Sequence, residues 1–149
     1  MEEVKSYEAY HISDMCYQED MILNTTRFKR SLENFGHYKK AIELEAECVR
    51  VGVDPNLPSR KTCLFVCNKN YVRYWHTYIE KRRQRQCYIY KLELNGKLLW
   101  TYADYLKAGE CEKYWHPETE PDFKEHEGLF VGSYKIISMC NKADFPEIR

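Results

Sequence analysis

Several common sequence signals are missing from this chain of 149 residues. No stretch approaches the roughly 20 consecutive apolar residues that a membrane-spanning helix needs. The first residues, Met1-Glu2-Glu3-Val4-Lys5, lack the basic-then-apolar order of a secretory signal. We therefore expect a cytoplasmic protein with no membrane partner.

The loop motifs of familiar nucleotide sites and hydrolases are also missing. There is no Gly-x-Gly-x-x-Gly after a predicted strand and no Gly-x-x-x-x-Gly-Lys-Ser/Thr, so Rossmann and P-loop sites are not expected. Neither Gly-x-Ser-x-Gly nor His-Glu-x-x-His occurs. Function must then come from side chains carried on predicted strands.

The chain has no net charge and no cysteine pattern typical of a metal site. Lys plus Arg total 23 and Asp plus Glu total 23, so any site for a polyanion must be local. Seven cysteines is an odd number, and reduced, partly buried thiols are expected. Cys63 and Cys67 would lie about 13 Å apart on a strand, too far to share a zinc ion. Cys111 with His116 lacks the close paired spacing of zinc ligands, so we expect no metal.

The amino-terminal half predicts a strand, a helix and a second strand. Alternation predicts strand 1 over residues 4–13, with His11 and Ser13 on one face. Residues 15–26 show no clean periodicity. Apolar spacing predicts a helix over residues 27–50, broken near Gly36, and then a loop over 52–59. The apolar run at residues 62–67 predicts a buried strand 2.

The carboxy-terminal half predicts a helix, a hairpin and a last strand. Asn68 is a candidate N-cap for a helix over residues 69–86. Strands over 87–94 and 98–102 would form a hairpin around Asn95-Gly96. A helix over 102–115, a loop over 116–124 and a strand over 128–139, bent near Gly132, complete the chain. This order of elements is typical of a single α+β domain over residues 1–149.

The order of these segments resembles the small ADP-ribosyltransferases, especially the compact bacterial and phage group that includes an NAD-dependent anti-CRISPR enzyme. The matching pieces are Tyr10-His11-Ile12-Ser13, Pro58-Ser59-Arg60 before Leu64-Phe65-Val66, Asn70-Tyr71, Tyr88-Ile89-Tyr90 and Glu127-Gly128-Leu129-Phe130-Val131. The resemblance implies mostly antiparallel, split sheets with flanking helices. It also implies transfer of ADP-ribose from NAD by a toxin, defence or counter-defence effector.

The resemblance assigns roles to individual residues. His11 would hold a ribose hydroxyl of NAD, Glu127 would stabilise the developing oxocarbenium, and either Phe65 or Tyr71 would stack on nicotinamide. The implied catalytic residues are Glu127, His11 and Glu125. The implied NAD-binding residues are His11, Ser13, Ser59, Arg60, Phe65 and Tyr71.

Chemistry supports these residue types independently. Breaking the bond between nicotinamide and ribose leaves positive charge on the sugar, which a fixed carboxylate stabilises. Nicotinamide is planar and cationic, so an aromatic face suits it. Arg60 could bind the pyrophosphate through charge-assisted hydrogen bonds. Taken alone, His11, Glu127 and Arg60 each have an ordinary structural role, and only the ordered set favours the functional one.

The acceptor of ADP-ribose is left open by the sequence. Glu125 and Glu127 would face the same side of an extended segment, about 7 Å apart. In arginine-modifying relatives the first such Glu orients the acceptor. Strand 1 here carries His11 instead of the Arg typical of that branch, and strand 2 has no Ser-Thr-Ser. We expect a macromolecular acceptor, protein in preference to nucleic acid.

Two other classes of function compete with this interpretation. An RNA 2′-phosphotransferase also uses NAD and needs a basic cleft, which the run Lys81, Arg82, Arg83 and Arg85 could supply. Such charge runs are more often a solvated helix end. A non-catalytic interaction domain would instead use its Tyr and Trp residues to bind a protein.

Overall fold

The computed structural model describes residues 1–28, 30, 32, 35–117 and 125–147. Its helices and antiparallel strands confirm the predicted α+β class. In chain order the elements are β1 (Glu2–Ser13), β2 (Ile22–Asn24), α1 (His37–Val53), β3 (Leu64–Val66), α2 (Val72–Arg83), β4 (Tyr88–Tyr102), α3 (Asp104–Lys107), α4 (Cys111–Trp115) and β5 (His126–Cys140). Single 3₁₀ turns span Thr25–Arg27, Lys69–Tyr71 and Lys142–Asp144.

The sheet curls so that β1 approaches the end of β3. Its order is β1-β4-β5, and the outer edge of β5 is divided between β3 and β2. β3 pairs near the start of β5, with Leu64 opposite Phe130. An isolated bridge then joins Tyr10 of β1 to Cys67, with N–O distances of 2.9 and 2.8 Å. This closure places the end of β1 beside β3 and near the start of β5.

The predicted hairpin at Asn95-Gly96 is wrong, because β4 runs through both residues without turning. Asn95 pairs with Ser133 and Gly96 with Gly132 of β5. A Cβ atom on Gly132 would overlap the carbonyl oxygen of Asn95 and lie 2.8 Å from Gly96 Cα. The glycines therefore permit two long strands to approach closely, and β5 continues through Gly132 without a break.

The helices start later or are shorter than predicted. Residues 28, 30, 32 and 35 lie outside any helix, and α1 begins only after Gly36. The backbone N–H of Arg30 instead donates to the Lys61 carbonyl at 2.7 Å, which ties this segment to the loop before β3. The predicted helix over 102–115 is interrupted at Gly109, whose φ is 74°. Asn68 caps the 3₁₀ turn Lys69–Tyr71 that leads into α2, and it accepts a hydrogen bond from the Asn70 N–H at 2.9 Å.

Among the described residues the core contains three clusters of buried apolar side chains, and the largest is formed by residues of β1, β3, β4 and β5 such as Ala9, Leu92 and Phe130. Trp115, Tyr114 and Leu129 belong to the cluster under α1, α3 and α4. Val72 and Ile89 belong to the cluster under α2.

All seven cysteines are free thiols. No helix in the described ranges is both long and apolar enough to cross a membrane. The predicted strand at 62–67 is confirmed as β3, the short β2 was not predicted, and residues 118–124 of the predicted loop lie outside the described residues.

Candidate functional site

A pocket of about 420 Å³ opens where β1, β3 and the start of β5 meet α1 and α2. This volume is within the usual range for small-molecule sites, roughly 300–1,000 Å³. His11, Phe65 and Glu127 all line it, and so do Arg60 and Glu125. Most of the site residues predicted from separate parts of the sequence therefore come together in one cleft.

Glu127 is held in place by two donors. It is the second residue of β5, pairs with Thr101 of β4 and is 7% exposed. Its Oε1 accepts hydrogen bonds from the Tyr114 hydroxyl at 2.6 Å and from Arg60 Nη1 at 2.7 Å. Among the described residues none donates to Oε2. One carboxylate oxygen is thus fixed while the other is left to interact with a ligand.

Arg60 connects Glu43 and Glu127, two of the buried carboxylates that line the pocket. Its Nε and Nη2 each donate to Glu43 at 2.9 Å, and its Nη1 donates to Glu127 and to the Tyr114 hydroxyl. Burial alone would lower the pKa of Arg60, but Tyr114, Glu127 and Glu43 hold it well above its ordinary value. Most donors of the guanidinium are therefore already used. The geometry favours a role in positioning Glu127 over the predicted role in binding pyrophosphate.

Glu43 and Tyr114 were missed by the sequence predictions. Burial alone would raise the pKa of Glu43, but hydrogen bonds and positive charge from Arg60, together with Arg30, lower it overall, so this carboxylate stays ionised. Burial raises the pKa of Tyr114, and Glu127 adds to this effect, so the phenol stays a donor. Neither residue belongs to a local motif, because α1 and α4 bring them to Arg60 only in the folded chain.

His11 has a defined tautomer. Its Nδ1 lies 2.7 Å from the carbonyl oxygen of Phe65, which can only accept, so Nδ1 carries a proton. Burial lowers the pKa of His11, and the positive charge of Arg83 lowers it further, which keeps the ring neutral. Nε2 is then a hydrogen-bond acceptor, as the binding of a ribose hydroxyl requires.

The two aromatic candidates differ in location. Phe65 lines the pocket, whereas Tyr71 does not and contacts the His126 ring, with centroids 5.2 Å apart. Two further aromatic residues of α2, Trp75 and Tyr78, line the pocket and were not predicted as site residues. Their helical spacing indicates only a buried face, so this role has no local sequence signal.

Ser13 and Ser59 are not among the residues that line the pocket. Ser13 Oγ accepts a hydrogen bond from the Met15 N–H at 3.1 Å. Ser59 Oγ donates to Glu47 at 2.9 Å, on the side of α1 where Arg50 also binds that carboxylate. Both hydroxyls have local structural partners in the chain.

Glu125 lines the pocket beside Glu127, as the Glu-x-Glu spacing predicts. The Tyr74 hydroxyl donates to its Oε1 at 2.7 Å, and Lys107 pairs with the same oxygen. Its Oε2 is buried with no hydrogen-bond partner in the described structure. Unsatisfied buried carboxylate oxygens are rare and costly, so this atom is a candidate contact for a ligand or acceptor group.

Two other chemistries find little support in the pocket. Burial raises the pKa of the Cys63 thiol to about 12, so it is not a thiolate nucleophile near neutral pH. Among residues 1–28, 30, 32, 35–117 and 125–147, no three His, Cys, Asp or Glu side chains cluster as metal ligands would.

The pocket is locally basic although the whole chain is neutral. Its cationic side chains are Arg30, Lys39, Arg60, Lys61, Arg82, Arg83 and Lys107, against the carboxylates Glu43, Glu125 and Glu127. Such an excess attracts anions and raises their local concentration.

Comparison with known protein families matches most of the chain. A family model described as a protein of unknown function, DUF2441, matches residues 1–142. No curated protein matches the chain.

Proposed function

We propose that this chain, which belongs to the DUF2441 family, is an NAD-dependent ADP-ribosyltransferase. The observation that carries the proposal is the convergence of His11 from β1 and Glu127 from β5 on one pocket. Contacts link the two residues. His11 binds the Phe65 carbonyl, the Phe65 ring lies 4.8 Å from the Arg60 guanidinium, and Arg60 binds Glu127.

In the proposed reaction the bond between ribose C1′ and the nicotinamide nitrogen breaks. Nicotinamide leaves as a neutral molecule with the electron pair, and positive charge develops on the ribose. Glu127, already oriented by Arg60 and Tyr114, stabilises that charge more in the transition state than in the ground state. An acceptor group then bonds to C1′ and loses its proton.

The neutral His11 is proposed to position NAD. Its Nε2 accepts a hydrogen bond from a ribose hydroxyl while Nδ1 remains fixed on the Phe65 carbonyl. Glu125 lines the same pocket as the reacting carboxylate and would orient the acceptor through its Oε2, which has no hydrogen-bond partner among the described residues. A role as a toxin, defence or counter-defence effector is part of the same proposal.

An NAD-using RNA 2′-phosphotransferase is a second candidate. The observation that favours it is the excess of cations in the pocket, including Arg82 and Arg83 from the basic end of α2. In that enzyme class a phosphate on RNA, instead of a protein side chain, would be the group that bonds to the ribose.

Labelled NAD tests the proposal and separates the candidates. The protein is incubated with a cell extract and with NAD labelled in its adenosine part, and nicotinamide release is followed separately. We expect released nicotinamide and label on a macromolecule. Loss of a 2′-phosphate from an RNA with that end group would instead support the second candidate. No nicotinamide release in any arm would contradict both.

His11→Ala tests the binding part of the proposal. One lost hydrogen bond to a ribose hydroxyl costs about 1 kcal/mol, so we expect NAD to bind about fivefold more weakly. Thermal stabilisation by millimolar NAD measures this, because a ligand of the native state raises stability. His37→Ala, on an exposed residue at the start of α1, is the matched control and should behave as wild type. Equal NAD affinity in wild type and His11→Ala would remove His11 from the site.

A further inference from the structure

One wall of the pocket alternates guanidinium groups and phenyl rings. Arg82 lies 4.9 Å from the centre of the Phe35 ring and Arg30 lies 4.8 Å from the same centre. Arg30 is also 5.4 Å from the centre of Phe65, and Arg60 is 4.8 Å from it. We call Arg82, Phe35, Arg30, Phe65 and Arg60 the arginine–phenylalanine series. It runs from the exposed end of α2 to the buried carboxylate Glu127.

The series has more positive charge than its carboxylates balance. Arg30 and Arg60 share Glu43, Arg60 also pairs with Glu127, and no carboxylate among the described residues pairs with Arg82. Two guanidinium groups therefore contact one phenyl ring, Phe35, and among the described residues no carboxylate pairs with both of them. Burial lowers the pKa of Arg30, and the positive charges of Arg60 and Arg82 lower it too. A bound anion would relieve this repulsion.

The positive charge continues beyond the series onto the surface. Lys39 and Lys61 line the pocket, and Arg83 and Arg85 follow Arg82 at and just after the end of α2. The side chains of Arg83 and Arg85 are 55% and 74% exposed, and each is 3.4 Å from the single carboxylate of Asp14. This track holds more cations than the single pyrophosphate of NAD requires. It suits a ligand that carries a succession of phosphates.

We propose that the acceptor of ADP-ribose is a single-stranded nucleic acid bound along the arginine–phenylalanine series. Cations that follow a phosphate backbone, together with aromatic rings and guanidinium planes on which bases stack, are the recognition mode for single strands. A base in a duplex is stacked and paired, so a single strand presents it to a pocket at lower cost. The inference rests on the proposed function and replaces the sequence-based preference for a protein acceptor.

The transfer step is balanced without any further reactant. An amino or hydroxyl group of the nucleic acid bonds to ribose C1′ and releases its proton to solvent. The C1′–N bond to nicotinamide breaks, and nicotinamide departs as a neutral molecule. Glu125, whose Oε2 has no hydrogen-bond partner in the described structure, lies on the same pocket wall as Glu127 to receive the acceptor's N–H or O–H.

Salt-dependent binding of a labelled oligonucleotide tests the site. Fluorescence anisotropy is measured with single-stranded DNA and RNA of about 16 nucleotides and with a duplex, at about 50 to 200 mM salt. We expect the single strands to bind more tightly than the duplex. The double variant Arg82→Gln/Lys39→Gln should bind more weakly. Its negative slope of log affinity against log salt should become less steep by about 1.4, the contribution of two phosphate contacts. The control Lys5→Gln/Lys97→Gln removes the same charge from exposed strand residues outside the pocket and should keep the wild-type slope.

The outcomes separate this inference from the proposed function. Wild-type protein that releases nicotinamide but neither binds nor labels the oligonucleotide would overturn the inference and leave the transferase proposal standing. Label from NAD that appears only on protein would also overturn the inference and leave the transferase proposal standing. An equal loss of binding in the control variant would show that the attraction is general and not located in the series. Oligonucleotide binding without nicotinamide release would contradict the transferase proposal and remove the acceptor role with it.

Discussion

Glu127 is bound by two side chains, and its proposed role is to stabilise positive charge on the ribose. Arg60 and Tyr114 both donate to its Oε1, and Arg60 is also bound bidentately by Glu43. Removing one member of a fully isolated buried ion pair costs several kcal/mol, but Arg60 keeps Glu43 when Glu127 is neutralised. We therefore expect Glu127→Gln to lower the free energy of unfolding by about 2 kcal/mol, the scale of hydrogen bonds to charged groups. Activity assays of this variant belong at a temperature where it is folded.

His11 makes stability depend on pH in a defined window. Burial lowers its pKa in the folded protein, so below about pH 6.5 the unfolded chain binds a proton that the folded chain does not. The free energy of unfolding should therefore fall as the pH drops below about 6.5 and be unaffected by His11 above it. His11→Gln should reduce the difference in unfolding free energy between about pH 7.5 and about pH 5.5, measured by urea denaturation.

Two features keep this pH test specific. Glu43, whose pKa is lowered, contributes only below its unfolded value of about 4.5, outside that window. His37→Gln replaces an exposed histidine of α1 and should leave the pH dependence of wild type. The account of His11 fails if His11→Gln and wild type lose the same unfolding free energy over the window.

At the scale of single residues, the sequence predicted which groups lie on strands but not which groups hold them. The strand patterns placed His11 on β1 and Glu127 at the start of β5. Alternation along β1 did not predict the pocket lining, because Tyr10, His11 and Ile12 line the pocket whereas Ser13 does not. The partners Glu43 and Tyr114 lie 17 and 13 residues from the groups they bind, on other elements. Arg60 was interpreted as a phosphate ligand because its buried partners have no local signature.

At the scale of elements, β4 and β5 depend on close approach at a glycine pair. Gly132 has φ 145°, and a Cβ there would overlap the Asn95 carbonyl and lie 2.8 Å from Gly96 Cα. Gly132→Ala should therefore lower the free energy of unfolding by about 2 kcal/mol or more, through backbone strain and separation of the strands.

A glycine in α1 gives the matched control for that substitution. A Cβ on Gly52 would meet nothing within 4 Å, and its backbone is helical. Gly52→Ala should raise the free energy of unfolding by about 0.5 to 1 kcal/mol, because alanine has the higher helix propensity. Thermal or urea unfolding of both variants checks the pair. A stabilised Gly132→Ala would contradict the strand geometry described here.

Elements were predictable where their signal was local and misread where tertiary contacts decide. The N-cap Asn68 and the strand at β3 follow from nearby residues. Asn95-Gly96 is the strongest short hairpin signal, yet here it lies in mid-strand because Gly132 packs opposite. Residues 28, 30, 32 and 35 lie outside any helix despite their helical spacing, since Arg30 pairs with the Lys61 backbone and packs against phenyl rings.

At the scale of the whole molecule, the zero net charge of the chain does not describe the charge around the pocket. The chain has as many acidic as basic residues, but cations outnumber carboxylates around the pocket. Composition predicted only that a polyanion site must be local. Its position depends on the curled sheet, which brings the start of β5, the loop before β3 and the end of α2 together. That closure is a long-range contact, so no single segment of the sequence predicts it.

The central claim is that Glu127 stabilises charge on the ribose, and nicotinamide release by Glu127→Gln tests it most directly. Tyr114→Phe is the control, because it removes the other hydrogen bond to Oε1 but keeps the carboxylate and Arg60. We expect Glu127→Gln to bind NAD, as judged by thermal stabilisation, and to release nicotinamide about 10² to 10³ times more slowly. Tyr114→Phe should retain most of the wild-type rate. Nicotinamide release by folded Glu127→Gln at close to the wild-type rate would contradict the account.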